Sequence, residues 1–283
     1  MITNLEKIKN LCRLYDLKPQ PSKGQNFLFS SEVIEKIVNA AEIKNTDIIL
    51  EVGPGLGILT EGLVATGAKV LSVELDKKLF EFLKVKFNGV KNLKLVQDDV
   101  LNFQPVTYGL SAYKIVANLP YNITSIFLRQ FLTTKPKPAT MTILVQKEVA
   151  QRICASPGQL NLLAISVQLY GQPQIVDLVK RDNFWPAPAV DSAILKIDQI
   201  KDWSGLSDLA GAVTEKEFWR LVKIGFSAKR KQLANNLAAG LNFDRAKIQS
   251  MLRTLNLNDK IRAQDLAIVD WFRLAKNLKS YFN

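Results

Sequence analysis

The sequence predicts a doubly wound α/β domain with a mostly parallel sheet, followed by a small domain made only of helices. Between positions 47 and 197, short apolar runs typical of buried strands alternate with segments of helical apolar spacing. A glycine-rich turn joins the first of these strands to the next helix, as in nucleotide-binding folds. After position 201 only amphipathic helical patterns follow. The predicted domains are therefore residues 1–200 and residues 201–283.

Each element is predicted from its apolar spacing. The strands are expected at 48–50, 69–73, 93–96, 113–117, 140–145, 162–169 and 192–197. The helices of the first domain are expected at 31–41, 58–66, 77–87, 124–132 and 147–155, and those of the second at 215–224, 229–239, 246–255 and 266–279.

Composition limits the classes of protein that fit. With 283 residues, 47% of them hydrophobic, the chain is long enough for one large domain and a smaller one. No apolar run approaches the length of a membrane-spanning helix, and the first 18 residues lack the apolar core of a signal peptide. Cys12 and Cys154 are isolated, which indicates neither a disulfide framework nor a metal site. We expect a cytoplasmic protein with no membrane association.

The chain contains no histidine. This excludes histidine general bases, Ser-His and Cys-His nucleophile pairs, and zinc bound by histidine. Any chemistry must use carboxylates, amides and the positioning of reactants, and we expect no metal. Transfer of a group from a substrate whose leaving group is already activated meets this condition, because the protein then mainly aligns the reactants.

The net charge of +12 predicts a polyanionic partner. Residues 201–283 hold 15 Lys and Arg against 8 Asp and Glu, so much of the excess lies in the second domain. Its densest part is Lys229, Arg230 and Lys231. A uniformly solvated basic surface is the alternative, but the asymmetry favours an RNA-binding patch at these three residues.

The glycine-rich turn carries Gly53, Gly55 and Gly57 between the first strand and the following helix. Glycine lets a backbone turn sharply and approach a nucleotide-like ligand closely. A dinucleotide fingerprint would place its third glycine at position 58, where Ile58 stands. An ordinary domain that binds NAD is the structural alternative, and this spacing argues against it.

Polar groups follow the next three strands. Glu74 ends the second strand and can accept hydrogen bonds from both hydroxyls of a ribose, and Asp99 follows the third strand and can accept from an adenine amine. After the fourth strand, the Asn118 side chain and the Leu119 carbonyl can accept from a second exocyclic amine, while Tyr121 stacks on its base. A plain strand-to-proline turn is the alternative for this tetrapeptide. Together the groups indicate S-adenosylmethionine as cofactor and a base as methyl acceptor.

Six motifs in a fixed order resemble those of the ribosomal RNA adenine dimethyltransferases, specifically the KsgA type that acts on small-subunit rRNA. They are Gly-Gln-Asn-Phe-Leu at 24–28, Glu-Val-Gly-Pro-Gly-Leu-Gly at 51–57, Val-Glu-Leu-Asp at 73–76, Asn-Leu-Pro-Tyr at 118–121, Gln-Lys-Glu-Val-Ala at 146–150 and Phe-Trp-Pro-Ala-Pro-Ala-Val-Asp-Ser at 184–192. Three positions depart from the family. Leu162 and Leu163 stand where it usually carries Tyr-Gly, and Asp98 stands where Gly is common.

The resemblance implies a Rossmann-like S-adenosylmethionine-dependent methyltransferase sheet whose closing pair of strands is antiparallel. It also implies that Phe184 lines the target-base pocket opposite Tyr121, although a rigid connector packed on the core is the alternative for its segment. Asn26 and Leu28 would cover the methionine end of the cofactor, and Asn118 would contact both cofactor and target.

The predicted activity is dimethylation of the exocyclic amines of two adjacent adenines in the 3′-terminal hairpin of 16S-type rRNA. The partner would be small-subunit rRNA within a precursor ribosomal subunit, bound by a monomeric enzyme during ribosome biogenesis. One alternative is the related large-subunit rRNA methyltransferase of the macrolide-resistance type. Another is a non-catalytic nucleic-acid-binding factor on the same fold.

Overall fold

A seven-stranded sheet is the central element of the computed structural model, which describes residues 4–20 and 24–279. The sheet strands are β2 (Ile48–Val52), β3 (Lys69–Glu74), β4 (Leu93–Gln97), β5 (Lys114–Asn118), β6 (Met141–Gln146), β7 (Gln172–Val179) and β9 (Ser192–Asp198). Two shorter strands, β1 (Phe27–Leu28) and β8 (Phe184–Trp185), form a separate antiparallel pair.

The strand order is β4-β3-β2-β5-β6-β9-β7. The strands from β4 to β6 pair in parallel, whereas β9 is antiparallel to both β6 and β7. The predicted sheet class is therefore confirmed. Because parallel strands end at the same edge, the segments after β2, β3, β4 and β5 meet there. The order changes direction between β2 and β5, which is where open α/β sheets bind ligands.

Twelve α-helices are present in the described ranges. They are α1 (Asn4–Leu14), α2 (Ser31–Ala40), α3 (Ile58–Ala65), α4 (Lys77–Lys86), α5 (Thr124–Thr133), α6 (Lys147–Ile153), α7 (Leu162–Gln168), α8 (Ser207–Ala210), α9 (Glu215–Gly225), α10 (Leu233–Leu241), α11 (Arg245–Thr254) and α12 (Ile268–Leu278). Side chains that accept from free amides begin several of them. Asp76 accepts from Lys78 and Leu79 at the start of α4, and Thr214 and Glu217 form a capping box at the start of α9.

The central strands are buried on both faces, which explains why they read as continuous apolar runs. Ile115, Val116 and Ala117 of β5 have no exposed surface. One apolar cluster packs α2 and α3 against the sheet, and a second packs α1 against α4. α1 lies outside the helices predicted from apolar spacing.

The chain divides into two compact units, residues 1–151 with 171–200, and residues 152–170 with 201–283. The first unit holds the sheet. The second contains α7 to α12, and no strand is found among its described residues. None of the helices described is long and apolar enough to cross a membrane.

The strand predicted at 162–169 is wrong, because this segment forms α7. Asn161 accepts a hydrogen bond from the Ala164 amide and so caps the helix. Gln168 donates to the carbonyls of Ile153 and Ala155, which holds the other end of the helix. A short apolar run does not separate a buried strand from a buried helix. The strand beside β9 is β7, whose half-exposed, alternating side chains gave no apolar run.

The helix predicted at 229–239 starts later, at Leu233 in α10. The predicted RNA-binding patch, Lys229, Arg230 and Lys231, therefore lies in the turn between α9 and α10, and all three residues are exposed. Asn236, itself buried, donates to the carbonyls of Gly225 and Ala228 and fixes the path of this turn.

Candidate functional site

The glycine-rich turn after β2 has the shape that a closely bound ligand requires. Gly53, Gly55 and Gly57 have φ angles of +65°, +57° and +74°, a region that favours glycine. A Cβ atom on Gly53 would point toward the tip of β5, 3.9 Å from the Asn118 carbonyl oxygen. The absent side chain thus leaves a cradle between the ends of β2 and β5, which fits a cofactor held against the backbone.

Lys86 stabilises the glycine-rich turn. Its ammonium group donates to the Leu56 carbonyl at 2.7 Å and pairs with Glu61 at 2.8 Å. The neighbouring Phe87 ring fills the space where a Cβ of Gly57 would lie, 2.5 Å from its nearest atom. The end of α4 therefore fixes the turn. The sequence analysis missed Lys86, because nothing in the sequence brings position 86 next to position 56.

We expect Lys86→Met to lower the free energy of unfolding by about 1.5–3 kcal/mol, because it removes a charged hydrogen bond to a partly buried carbonyl. Urea unfolding followed by circular dichroism measures the change. Lys84→Met is the matched control, since Lys84 is exposed and contacts Glu81 and the Phe80 ring on the same helix. Its expected effect is below about 0.5 kcal/mol. Equal effects of the two substitutions would show that Lys86 does not fix the turn.

Glu74 ends β3 with its side chain buried beside the glycine turn. One carboxylate oxygen accepts from the Gly55 amide at 3.1 Å, and the other accepts from the Asp76 amide at 2.9 Å. Burial raises the pKa of Glu74, and the amide hydrogen bonds oppose that shift. Each oxygen keeps a lone pair, so the carboxylate remains able to accept from two ribose hydroxyls.

A second carboxylate, Glu51, lies beneath the turn and is 1% exposed. It accepts hydrogen bonds from the Thr60 hydroxyl of α3 and from the Ser72 hydroxyl of β3. Burial raises the pKa of Glu51 to about 7, although both hydroxyls lower it. Glu51 joins β2, β3 and α3 by hydrogen bonds just below the cradle and has a structural role.

The tip of β4 carries two aspartates with different roles. Asp98 accepts from the Asp99 amide and from the Tyr108 hydroxyl, at 2.8 and 3.2 Å. This explains how the chain accommodates an aspartate where the family commonly has glycine. Asp99 accepts from the Leu101 amide through one oxygen, and the second oxygen remains available for an adenine amine. The Asp98 amide donates to the Glu74 carbonyl, which brings the two strand tips together.

Asn118 is half-buried at the end of β5. Its amide nitrogen donates to the Asn26 carbonyl at 3.3 Å, so the structure brings these two predicted site residues together. That contact fixes the amide orientation and leaves the side-chain oxygen as an acceptor. Within the described ranges no group donates to this oxygen or to the Leu119 carbonyl. Two adjacent acceptors at a strand tip match the two hydrogens of an exocyclic amine.

Tyr121 follows these acceptors and is also half-buried. Its hydroxyl forms a 2.7 Å hydrogen bond with Ser192, a fully buried residue at the start of β9. Burial raises the pKa of Tyr121. The hydrogen bond fixes the position of the ring, so a base that stacks on it meets an oriented surface.

Leu28 and Phe184 lie deeper than predicted. They pair across β1 and β8, and their side chains are 5% and 3% exposed within the apolar cluster of the first unit. The Phe184 ring packs among core residues, as the alternative of a rigid connector implies, and its place in the target-base pocket stays a prediction.

Leu75 is a further candidate that the sequence analysis missed. It directly follows Glu74, and its side chain is 64% exposed. An exposed apolar side chain next to the proposed ribose acceptor offers a surface for the adenine of a nucleoside. The residues around the strand tips thus suit a cofactor with a ribose and a base. Across the described residues, no group of acidic or cysteine side chains is arranged to hold a metal ion.

Comparison with known proteins identifies the family of this chain. The model of the ribosomal RNA adenine dimethylase family matches residues 17–280. The ribosomal RNA small subunit methyltransferase A of Dehalococcoides mccartyi is 41% identical over 272 residues, which cover 95% of this chain and 92% of that protein. The protein of the same name from Fusobacterium nucleatum is 36% identical over 263 residues, covering 92% of this chain and 98% of the relative.

Two solved structures share the fold. A dimethyladenosine transferase from Plasmodium falciparum superposes with a TM-score of 0.75 at 27% identity, covering 90% of this chain and 98% of the other. The 23S rRNA methyltransferase ErmE superposes with a TM-score of 0.71 at 25% identity, covering 90% and 100%. The resemblance inferred from the six motifs is confirmed, and the chain belongs to the ribosomal RNA adenine dimethylase family.

Proposed function

We propose that this protein transfers methyl groups from S-adenosylmethionine to the exocyclic amines of two adjacent adenines in the 3′-terminal hairpin of small-subunit rRNA. The pair of acceptors formed by the Asn118 oxygen and the Leu119 carbonyl carries this proposal, because it matches the two hydrogens of an adenine amine. The names of the relatives support the small subunit as the source of the RNA. The working context would be a monomer acting on a precursor subunit in the cytoplasm.

The cofactor supplies a methyl group on a positively charged sulfur. Gly53, Gly55 and Gly57 let the backbone approach it, Glu74 accepts from the ribose hydroxyls, and Asp99 accepts from the adenine amine. Asn26, whose carbonyl accepts from the Asn118 side chain, would cover the methionine end of the cofactor together with Leu28 of the same segment.

The chain's own part in the reaction is to orient the target nitrogen. When the Asn118 oxygen and the Leu119 carbonyl accept both amine hydrogens, the nitrogen lone pair turns out of the plane of these bonds. The same oxygens stabilise the positive charge that develops on nitrogen, so no strong base is required. After the first transfer the methylated nitrogen carries a positive charge and releases one proton to water. It keeps one hydrogen, and one acceptor suffices for the second transfer. Tyr121 holds the base during both transfers.

Phe184 is proposed to line the target-base pocket opposite Tyr121. Its burial in the β1–β8 pair, next to the Asn26 segment, supports a fixed position for the ring.

Mass spectrometry of both rRNAs from cells that lack the protein tests the proposed function. We expect dimethyladenosine to disappear from the 3′-terminal hairpin of the small-subunit rRNA and to return with a plasmid copy of the wild-type gene. Loss of methylation from large-subunit rRNA alone would instead support the macrolide-resistance type of enzyme. Unchanged methylation of both rRNAs would support the non-catalytic alternative.

The basic turn of the second unit provides a separate test. We expect the triple substitution Lys229→Gln, Arg230→Gln and Lys231→Gln to weaken binding to small subunits and to reduce the salt dependence of binding, because fewer counterions are released. The slope of log Kd against log salt should fall by about 2–3. Filter binding across a KCl series measures it.

The matched control is Lys216→Gln, Lys247→Gln and Lys260→Gln, which removes the same charge from exposed positions of the same unit. The control should change the slope by less than about 1. Affinity for S-adenosylhomocysteine should stay the same in both variants. If the two triple variants give the same slope, the turn is an ordinary solvated surface.

A further inference from the structure

A basic cleft lies in the first unit, where β3 and β4 begin. The candidate active site lies at the other end of these strands. The cleft has a volume of about 290 Å³, and Lys69, Lys91 and Lys94 line it together with Tyr108. Lys69 and Lys94 stand at the starts of β3 and β4, whereas the site residues follow the ends of these strands. A five-residue strand spans roughly 17 Å, so the cleft is a separate surface.

The three lysines carry unneutralised charge. The lining of the cleft contains no acidic residue. In the described part of the chain, no carboxylate lies within ion-pair distance of Lys69, Lys91 or Lys94. Many other lysines of this unit are paired, as with Lys36 and Asp177 at 2.9 Å or Lys196 and Glu42 at 2.7 Å. Three unpaired lysines around one cavity repel each other, and an anion between them would relieve that repulsion.

Two neighbouring acids are engaged with other groups. The Asp47 backbone carbonyl accepts from the Lys69 amide, but its carboxylate pairs with Lys114 of β5 at 2.8 Å. Asp98, which follows the end of β4, accepts from the Tyr108 hydroxyl. Among the described residues, neither carboxylate forms an ion pair with a lysine of the cleft.

The walls of the cleft are rigid. Asn92 donates to the carbonyls of Val64 and Ala68, both at 2.9 Å, and this fixes the start of β4 between the two lysines beside it. The Tyr108 ring stacks on Phe103 with centroids 4.6 Å apart, and the Lys94 ammonium lies 5.7 Å from its centroid. These contacts hold the backbone around the lysines in place before an anion binds, which lowers the entropic cost of anion binding.

We propose that Lys69, Lys91 and Lys94 form a second contact for RNA backbone phosphates. Lysine binds phosphate as a point charge, and several lysines on one surface provide affinity without reading sequence. The inference rests on the proposed function, because the substrate there is a folded RNA large enough to reach both edges of the sheet. The cleft would position the RNA and the strand tips would select the adenine.

The test uses the full-length chain with Lys69→Gln, Lys91→Gln and Lys94→Gln, and small subunits from cells that lack the protein. The control variant is Lys9→Gln, Lys44→Gln and Lys180→Gln, which removes the same charge from the same unit at positions that do not line the cleft. Binding is measured over a KCl series. The cleft variant should bind about 10–100-fold more weakly at 0.15 M salt, with a slope reduced by about 2–3. The control should change the slope by less than about 1.

Acetylation of lysines, read by mass spectrometry, provides a second measurement on the wild-type protein. The three cleft lysines should be protected when small subunits are added, and Lys44 should not. Protection combined with an unchanged salt slope would mean that a ribosomal protein covers the cleft, and would overturn the proposal. The cleft variant could instead keep the wild-type salt slope and self-associate more strongly. That result would mean that the three lysines only prevent the outermost strand, β4, from pairing with another copy of the chain. It would also overturn the proposal.

The same samples separate this inference from the proposed function. Methyl transfer by the wild-type protein to small subunits tests the function alone. If that transfer is absent, the proposed function is wrong, whatever the lysine variants show. If it is present and the cleft and control variants bind alike, only the second RNA contact is wrong.

Discussion

Asn118→Ala should lower the rate of methyl transfer by about 10²–10³ while leaving cofactor affinity and RNA affinity nearly unchanged. The reason is that the Asn118 oxygen interacts most strongly with the amine as its nitrogen becomes positive, so its contribution is larger in the transition state than in the ground state. Single-turnover methylation of small-subunit particles at saturating cofactor measures the chemical step directly. Wild-type transfer by this variant would show that the amine binds elsewhere.

The structure sharpens this experiment, because Asn118 also donates to the Asn26 carbonyl. Asn118→Asp removes that donor but keeps an oxygen acceptor, so it should lose less activity than Asn118→Ala. If both variants lose the same activity, the contact with Asn26 is what matters. Asn122→Ala, an exposed asparagine four residues further on, is the matched control and should behave as the wild type.

Tyr121 gives the complementary result. Tyr121→Phe keeps the ring and loses only the hydrogen bond to Ser192, whereas Tyr121→Ala removes the stacking surface. Base–aromatic stacking contributes about 1–3 kcal/mol per base, so the alanine variant should weaken productive RNA binding as well as the rate. The phenylalanine variant should retain most of both.

Glu74→Ala should weaken cofactor binding by about 1.5–3 kcal/mol and leave RNA binding close to that of the wild type. The buried carboxylate would otherwise accept from two ribose hydroxyls, and alanine offers no acceptor. Isothermal titration calorimetry with S-adenosylhomocysteine gives the affinity. An unchanged Kd would remove Glu74 from the cofactor site.

Because Glu74 also accepts from the Gly55 and Asp76 amides, its loss disturbs the glycine turn as well as the ribose contact. Glu74→Gln separates the two effects, since it keeps an oxygen that can accept from one amide. It should bind the cofactor with an affinity between those of the wild type and the alanine variant. Glu81→Ala, an exposed carboxylate that pairs with Lys84 on α4, is the control and should leave the affinity unchanged.

The sequence alone determined the type of sheet and the identity of the polar groups at its strand tips. Strands buried on both faces are continuous apolar runs, and the carboxyl ends of parallel strands meet at one edge. Glu74, Asp99 and Asn118, which follow three of these strands, were predicted to bind the cofactor and the target base. The family followed from six ordered motifs and was confirmed.

The tertiary structure alone decided which of the predicted residues are exposed and what holds them. Residues 162–169 form a helix because the Asn161 cap and the Gln168 contacts outweigh an apolar run that suits either element. Phe184 is a core residue because it pairs with Leu28, 156 positions away in the chain. Lys86 likewise contacts the glycine turn only because a distant segment, the end of α4, packs beside it. Burial and long-range hydrogen bonds depend on which distant segments meet, and local sequence spacing does not encode that.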